Sequence, residues 1–182
     1  MFSGKRHWLN HYMKQRYSAG RLAAFSVLVG AFISILILFV PSYLGVANDG
    51  IGNKKMSESG LKYLESDTES FSNDYFDRVY ERTTSDREGV SSHLFCIDIA
   101  KAMDDFFTKD NLFDIRFLAL IYMIFWLPGM YLVIRAALER VSYFTEGTVL
   151  AVLGTIMFSD ISYITYFNSL YSEGLIFICL LY

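Results

Sequence analysis

Three carboxylic acids lie beside or within long uncharged stretches of the chain, namely Asp49, Asp160 and Glu173. An ionisable side chain in or next to a membrane span costs free energy, so it is a functional candidate by default. A carboxylate in this setting can take a proton as a general base or hold the hydroxyl groups of a sugar. We therefore regard these three acids as candidate catalytic residues.

Each acid also has an ordinary structural explanation. Asp49 stands in an Asn-Asp-Gly sequence, which is a common turn where a chain leaves a helix. Glu173 would suit the N-terminus of a following helix, where negative charge is favourable. In one continuous helix Tyr163 and Tyr171 would share the face of Asp160, which suits a bound sugar or a buried, hydrogen-bonded aspartate. These alternatives stay open on the sequence alone.

Basic side chains near the expected membrane surface are fewer. Lys54, Lys109 and Arg116 are candidates to contact a lipid phosphate, although long basic side chains at a membrane surface also simply reach toward water. His93 stands alone, which favours a surface or helix-capping position. The sequence has no zinc-binding spacing, phosphate-binding glycine loop or nucleophile elbow.

The elements that must position these side chains are predicted from three stretches with little or no charge. Residues 22–48 and 117–134 carry no charged side chain, and residues 148–182 carry only Asp160 and Glu173. A bilayer is crossed by about 20 apolar residues, and in hydrocarbon only a helix satisfies their backbone. We predict an all-α, polytopic helical membrane protein with a helical extracytoplasmic loop. Its complete spans are predicted at 22–43, 113–134 and 148–167, and the start of a fourth at 175–182.

The composition argues against a soluble protein and against a nucleic-acid partner. Charged residues make up 19% of the chain and apolar residues 53%, whereas a soluble domain usually carries about 25% charged residues. The basic N-terminal segment is short and adjoins an apolar run, unlike the basic face of a folded nucleic-acid-binding domain. We therefore expect the lipid bilayer as a partner and no nucleic acid.

Basic residues flank the predicted spans on one side of the membrane. Residues 1–21 carry basic side chains and no acid, and Arg135 and Arg140 follow the second span. The positive-inside rule then places the N-terminal segment and the turn 135–147 in the cytoplasm. The chain would cross the plasma membrane several times, and its extracytoplasmic parts would be 44–112 and 168–174.

The acidic segment between the first two spans is predicted to fold into helices. Apolar residues at helical spacing predict helices over 73–83 and 92–107, the second capped by Ser91 or Ser92. Their apolar faces would pack together or lie on the membrane surface. Asp110 is expected to cap the start of the second span, and the segment lacks the alternation typical of a strand.

The apolar run that follows Glu173 is short. It has nine residues, 174–182. Nine helical residues extend about 14 Å, which is too short to cross about 30 Å of hydrocarbon. We therefore expect this chain to be the N-terminal part of a longer polytopic protein.

The layout of spans and acidic motifs resembles a known family. ANDG follows the first span and YFNSLYSEG follows the third. Both motifs, with the large outer loop between the first two spans, resemble the N-terminal module of GT-C-fold glycosyltransferases that use polyprenyl-phosphate-linked sugars. The similarity covers residues 22–182 and is nearest to bacterial hexose transferases of cell-surface glycan synthesis.

The resemblance implies roles for particular residues. Asp49 would be the base that deprotonates an acceptor hydroxyl, while Asp160 or Glu173 would position acceptor, donor or a metal ion. A divalent cation is the one cofactor that the resemblance leaves room for. The donor would be a polyprenyl-phosphate-linked hexose, and the acceptor a surface glycan or a lipid. The candidate substrate-binding residues are Tyr163, Asn168, Tyr171, Lys54, Lys109 and Arg116.

A function of another class fits the same layout. The chain would then belong to a non-enzymatic membrane protein, such as a transporter, sensor or assembly subunit whose outer loop binds a ligand. A polymerase or flippase of surface polysaccharide is a further alternative. A transfer assay with a polyprenyl-phosphate hexose discriminates among them.

Overall fold

The computed structural model of the protein describes residues 18–40, 44–46, 50–64, 78–83 and 90–182. These residues are mostly helical, which confirms the predicted helical membrane fold. In chain order the elements are α1 (Ala19–Leu38), α2 (Gly50–Glu58), β1 (Leu61–Tyr63), β2 (Val79–Arg82), α3 (Ser92–Phe107), β3 (Leu112–Asp114), α4 (Arg116–Leu138), α5 (Phe144–Phe158), α6 (Ile161–Ile164), a 3-10 turn (Thr165–Asn168) and α7 (Glu173–Cys179).

Three segments of the described chain are long and apolar enough to cross a membrane: α1, α4 and the run Phe144–Asn168, which begins with α5. The protein is therefore a multi-pass membrane protein. Helix α1 begins three residues before the predicted position 22, because Ser18 caps it and its Oγ accepts a hydrogen bond from the Arg21 amide. Residues 41–43 of the predicted first span lie outside the described residues.

One face of α1 is made of small residues, which allow the neighbouring spans to come close. An ideal Cβ placed on Gly30 would lie 2.8 Å from Cε of Met130 on α4 and 2.9 Å from Oγ of Ser159 after α5. The opposite face carries exposed large apolar side chains, which suits contact with lipid. The small buried residues of α1 are Ala23, Ser26, Gly30 and Ser34.

The described residues between α1 and α4 form a second layer at one end of the spans, which we call the lobe. Its three strands form an antiparallel sheet in the order β1-β2-β3, with Tyr63 opposite Tyr80 and Tyr80 opposite Phe113. Tyr80 and Phe113 are fully buried in the hydrophobic core. The predicted helix over 73–83 is therefore wrong for residues 79–82, while residues 73–77 lie outside the described chain.

A buried ion pair joins the sheet of the lobe to α3. The Arg82 guanidinium donates to Oδ2 of Asp104 at 3.0 Å and also pairs with Asp105. It further donates to the backbone carbonyls of Lys101 and Leu112. Only 2% of the Asp104 side chain is exposed, so its charge depends on this partner.

The predicted helix over 92–107 is confirmed, and Ser91 is its cap, with Oγ accepting from the Leu94 amide at 3.2 Å. The predicted cap for the second span is wrong. Asp110 instead accepts a hydrogen bond from the Leu112 amide at 3.0 Å, because β3 comes between it and α4. Asp114 accepts from the Arg116 amide, also at 3.0 Å, where α4 begins.

Candidate functional site

Asp160 begins a short helix instead of lying inside a long one. Helix α5 ends at Phe158, and Asp160 is the N-cap of α6, where Oδ1 accepts from the Ser162 amide at 2.7 Å. Its side chain is exposed. The predicted helical face shared with Tyr163 and Tyr171 is therefore wrong, because the cap interrupts the helix: Tyr163 is 43% exposed and Tyr171 is buried.

Asn168 ties the end of the third span to the end of the first. Its side chain is 4% exposed, and Nδ2 donates to the carbonyl oxygens of Leu38 at 2.8 Å and Leu44 at 3.0 Å. Gly45 packs so closely against it that an added Cβ would lie 2.5 Å from the Asn168 carbonyl oxygen. A side chain at position 45 has no room, so this contact requires glycine.

His93 is buried at the junction of the lobe and the spans, so the expected surface position is wrong. It is 3% exposed, with Nδ1 2.8 Å from the Tyr122 hydroxyl and Nε2 2.9 Å from the Leu170 carbonyl oxygen. A carbonyl can only accept, so Nε2 carries a proton, and in the neutral ring Nδ1 then accepts from the Tyr122 hydroxyl. The imidazole therefore holds α3, α4 and the loop after the third span together.

The surroundings of His93 favour its neutral form. Burial lowers the pKa of the imidazole, and the positive charge of Lys55 lowers it further. The Leu170 carbonyl and the carboxylate of Glu173 act in the opposite direction and are outweighed. In this neutral ring Nδ1 has a free lone pair, which accepts the hydrogen bond from the Tyr122 hydroxyl.

Glu173 is the first residue of α7, close enough to His93 for its charge to act on the imidazole. Its Oε2 is buried and has no hydrogen-bond partner among the described residues, and the same is true of Oδ1 of Asn168 and Oγ of Ser159. Buried acceptors without donors are uncommon in folded proteins. With respect to the described residues, each of these oxygens therefore has an unused lone pair.

The predicted basic residues do not gather at this junction. Lys54 is exposed and lies 3.8 Å from a carboxylate oxygen of Glu58. Lys109 is exposed and has a left-handed backbone, with φ at 54°. The Arg116 guanidinium is held by Asp114, whose Oδ2 accepts from Nε at 2.8 Å. These three basic residues therefore do not form a common site at the junction, and their contact with a lipid phosphate stays a prediction.

The aromatic candidate Tyr171 packs inside the loop between the 3-10 turn and α7. Its ring lies edge-on to Tyr166, with the centroids 6.2 Å apart. Its amide donates to Oγ of Ser169 at 3.4 Å. Tyr171 thus shapes the loop that carries Glu173, while Tyr163 packs on Phe177 on the outside of it.

The remaining predictions for the site concern Asp49 and a metal ion. Asp49 lies outside the described residues, although α2 begins at the next position, Gly50. In the part of the chain that the structure describes, no group of three or more His, Cys, Asp or Glu side chains could hold a metal. The divalent cation and the role of Asp49 stay predictions.

Asn168 and Glu173 lie at the two ends of the loop after the third span, which we call the loop site, and the Leu170 carbonyl between them joins this loop to His93 and Tyr122. The last two were not predicted. The sequence does indicate that His93 is buried, because its spacing places it on the same face of α3 as the buried residues Ile97, Ala100 and Asp104.

Comparison with known proteins identifies a family. A family model described as the YfdI N-terminal transmembrane domain matches residues 9–182. No curated protein matches the chain, and no solved structure matches it. Because the match covers nearly the whole sequence, the chain belongs to the YfdI N-terminal transmembrane domain family.

Proposed function

We propose that this chain is the N-terminal membrane part of an enzyme that transfers a hexose from a polyprenyl-phosphate carrier to a surface glycan or a lipid. The observation that carries the proposal concerns two buried acceptors at the loop site, Oδ1 of Asn168 and Oε2 of Glu173, which have no hydrogen-bond partner in the part of the chain that the structure describes. The motifs that contain Asp49 and Glu173, and their resemblance to lipid-linked-sugar transferases, support the same reading.

The position of these acceptors suits a substrate with a polar head and a lipid tail. The loop site lies where the lobe meets the end of the membrane-spanning helices, since Asn168 contacts Leu38 at the end of α1. A sugar hydroxyl is a hydrogen-bond donor that a carboxylate or amide oxygen accepts. A polyprenyl chain attached to that sugar would lie alongside the apolar faces of the spans.

The proposed reaction is an inverting transfer. Asp49 takes the proton of the acceptor hydroxyl, whose oxygen attacks the anomeric carbon of the hexose. The bond from that carbon to the phosphate oxygen breaks, and the polyprenyl phosphate leaves with the electron pair. Glu173 orients the reacting hydroxyl groups through its buried oxygen. We assign this role to Glu173 and not to Asp160, because the Asp160 carboxylate is exposed and caps α6.

The test is transfer by the full-length protein in liposomes that contain a polyprenyl-phosphate hexose with a labelled sugar. Asp49→Asn is expected to lower turnover at least about 100-fold, the usual contribution of a positioned base, and Glu173→Gln is expected to lower turnover by weakening the hydrogen bonds that orient the hydroxyl groups. The matched control is Glu139→Gln, an exposed carboxylate paired with Arg135 at the other end of α4. It is expected to leave turnover unchanged.

Two results would count against the proposal. Normal transfer by the Glu173→Gln protein would remove the loop site from the reaction. Binding of the lipid-linked sugar with no transfer by the wild-type protein would instead favour the non-enzymatic alternative, a membrane protein with a ligand-binding outer loop.

A further inference from the structure

Helix α3 has one buried face and one exposed apolar face. Leu94, Ile97 and Ala100 are at most 2% exposed and pack into the lobe. On the other side Phe95 is 62% exposed and Phe106 is 77% exposed. Helical spacing puts these two side chains on one line with two others. We call this line the α3 stripe, and its members are Phe95, Ile99, Ala102 and Phe106.

The α3 stripe continues into the lipid-facing surface of α4. Phe107, next to the stripe, stacks on Phe117 in the first turns of α4, with ring centroids 5.9 Å apart and planes 23° apart. Further along the same face of α4, Leu120 and Ile124 are exposed. Since α4 is a membrane span, the apolar surface that begins on α3 runs without interruption onto a surface that contacts lipid.

Helix α3 lies across α4 and not along it. His93 near its start bonds to Tyr122, while Phe107 at its end stacks on Phe117. These contacts are 14 residues apart on α3, about 21 Å, but five residues apart on α4, about 7.5 Å. Contacts spaced so unequally along the two helices fit a crossing of α4 by α3, as in a helix that follows the membrane surface, and do not fit two helices that run side by side.

Charged groups of α3 lie beside the stripe and away from α4. Asp105, next to Phe106, is 55% exposed and pairs with Arg82 of the sheet. Asp104 on the opposite face is held by the same guanidinium. Charges on the lobe side and apolar residues on the other side are the pattern of a helix that lies in a membrane interface.

We propose that α3 lies at the boundary between lipid headgroups and acyl chains, with the α3 stripe in the acyl region. The occupant of the stripe is lipid of the leaflet on the lobe side, because the stripe is continuous with the lipid-facing surface of α4. The lobe is then anchored to the bilayer by its own helix. This proposal does not depend on the proposed enzymatic function.

The test measures the depth of single spin labels in the full chain in lipid nanodiscs. With Cys96 and Cys179 replaced by serine, labels are attached to Phe95→Cys and Phe106→Cys proteins. Collisions with oxygen, which enters the acyl region, are expected to exceed those with a water-soluble nickel chelate. The label in an Ile124→Cys protein is the lipid reference. The matched control is the Asp105→Cys protein, in which collisions with the nickel chelate should exceed those with oxygen.

A second measurement does not need the cysteine background. In the Phe106→Trp protein, fluorescence above the wild-type signal should be quenched by lipids brominated on their acyl chains, most strongly when the bromine is near the headgroup. Nickel accessibility at the stripe equal to that at position 105 would overturn the proposal. So would labels that neither reagent reaches together with no bromine quenching, since protein, such as a second copy, would then cover the stripe.

Discussion

The His93→Ala substitution tests the junction between lobe and spans most directly. It leaves the Tyr122 hydroxyl without its acceptor and the Leu170 carbonyl without its donor. Both residues are fully buried, so water cannot replace the imidazole at low cost. A buried polar group left unpaired costs about 1–3 kcal/mol, so we expect a loss of about 2–6 kcal/mol in the free energy of unfolding. The cavity left by the ring would add to this loss.

The assay is unfolding of the purified chain from mild detergent micelles by increasing SDS, followed by tryptophan fluorescence. Trp126 is a suitable reporter, because its Nε1 donates to the Phe158 carbonyl and its ring packs on Phe167 in the same region. His93→Gln supplies one amide donor and one amide acceptor, so it should recover at least half of the loss. Ser92→Ala is the control, since Ser92 is exposed on the same turn of α3.

Two outcomes would refute this reasoning. A loss below about 1 kcal/mol in His93→Ala would mean that the two hydrogen bonds contribute little beyond what water supplies in the unfolded chain. Equal losses in His93→Ala and His93→Gln would mean that the shape of the ring matters and the hydrogen bonds do not.

Three further predictions follow from the described packing. Burial lowers the pKa of His93 below its ordinary 6.5, so below pH 6.5 the unfolded chain binds more protons than the folded chain. Stability to SDS should therefore fall as the pH drops below 6.5 and stay level above it. The His93→Gln protein should lack this pH dependence. Gly30→Leu should cost about 1–3 kcal/mol by overpacking in the same SDS titration, whereas Ala24→Leu on the exposed face of α1 should cost little. Arg82→Met should lower the free energy of unfolding by about 3–5 kcal/mol, because it leaves the buried Asp104 carboxylate without its charge partner. In thermal unfolding, Arg82→Met combined with Asp104→Leu should recover much of this loss. A double variant as unstable as Arg82→Met would contradict a buried-charge origin.

The membrane spans could be predicted from the sequence because hydrocarbon leaves the backbone no alternative to a helix. Helix α3 could also be predicted from the sequence, because Ser91 and the spacing of the apolar residues indicate where it begins and ends. The cytoplasmic and extracytoplasmic sides rest on the positive-inside rule alone and stay predictions. So do the plasma membrane and the roles of Asp49 and Glu173.

The sheet could not be predicted because its strands are too short to carry a pattern. β1 and β3 have three residues each and β2 has four, so alternation is hardly visible. Their pairing joins Tyr63, Tyr80 and Phe113, which are far apart in the chain. The spacing of Tyr75, Phe76, Val79 and Tyr80 predicts a helix, because a 3.6-residue period is also met by chance in such a short window.

The loop site could be predicted only in part, because residue types alone do not show which side chains hydrogen-bond to the backbone beside them. Asp160 with Ser162 two residues later is a common capping sequence, and this local hydrogen bond ends the long helix that a hydropathy pattern would continue. Nδ2 of Asn168 donates to the carbonyls of Leu38 and Leu44, and the predicted role of this residue in substrate binding stays a prediction. Such contacts between distant parts of the chain leave no trace in residue spacing.

A single residue, Ile115, separates the last strand of the sheet from the second span. It is 1% exposed, and its amide donates to the Arg78 carbonyl beside β2. With only one buried residue between them, a tilt of the sheet would be passed directly to the first turns of α4. Pro128 removes one backbone hydrogen bond within the same helix, so α4 would bend there before such a movement reached Leu138.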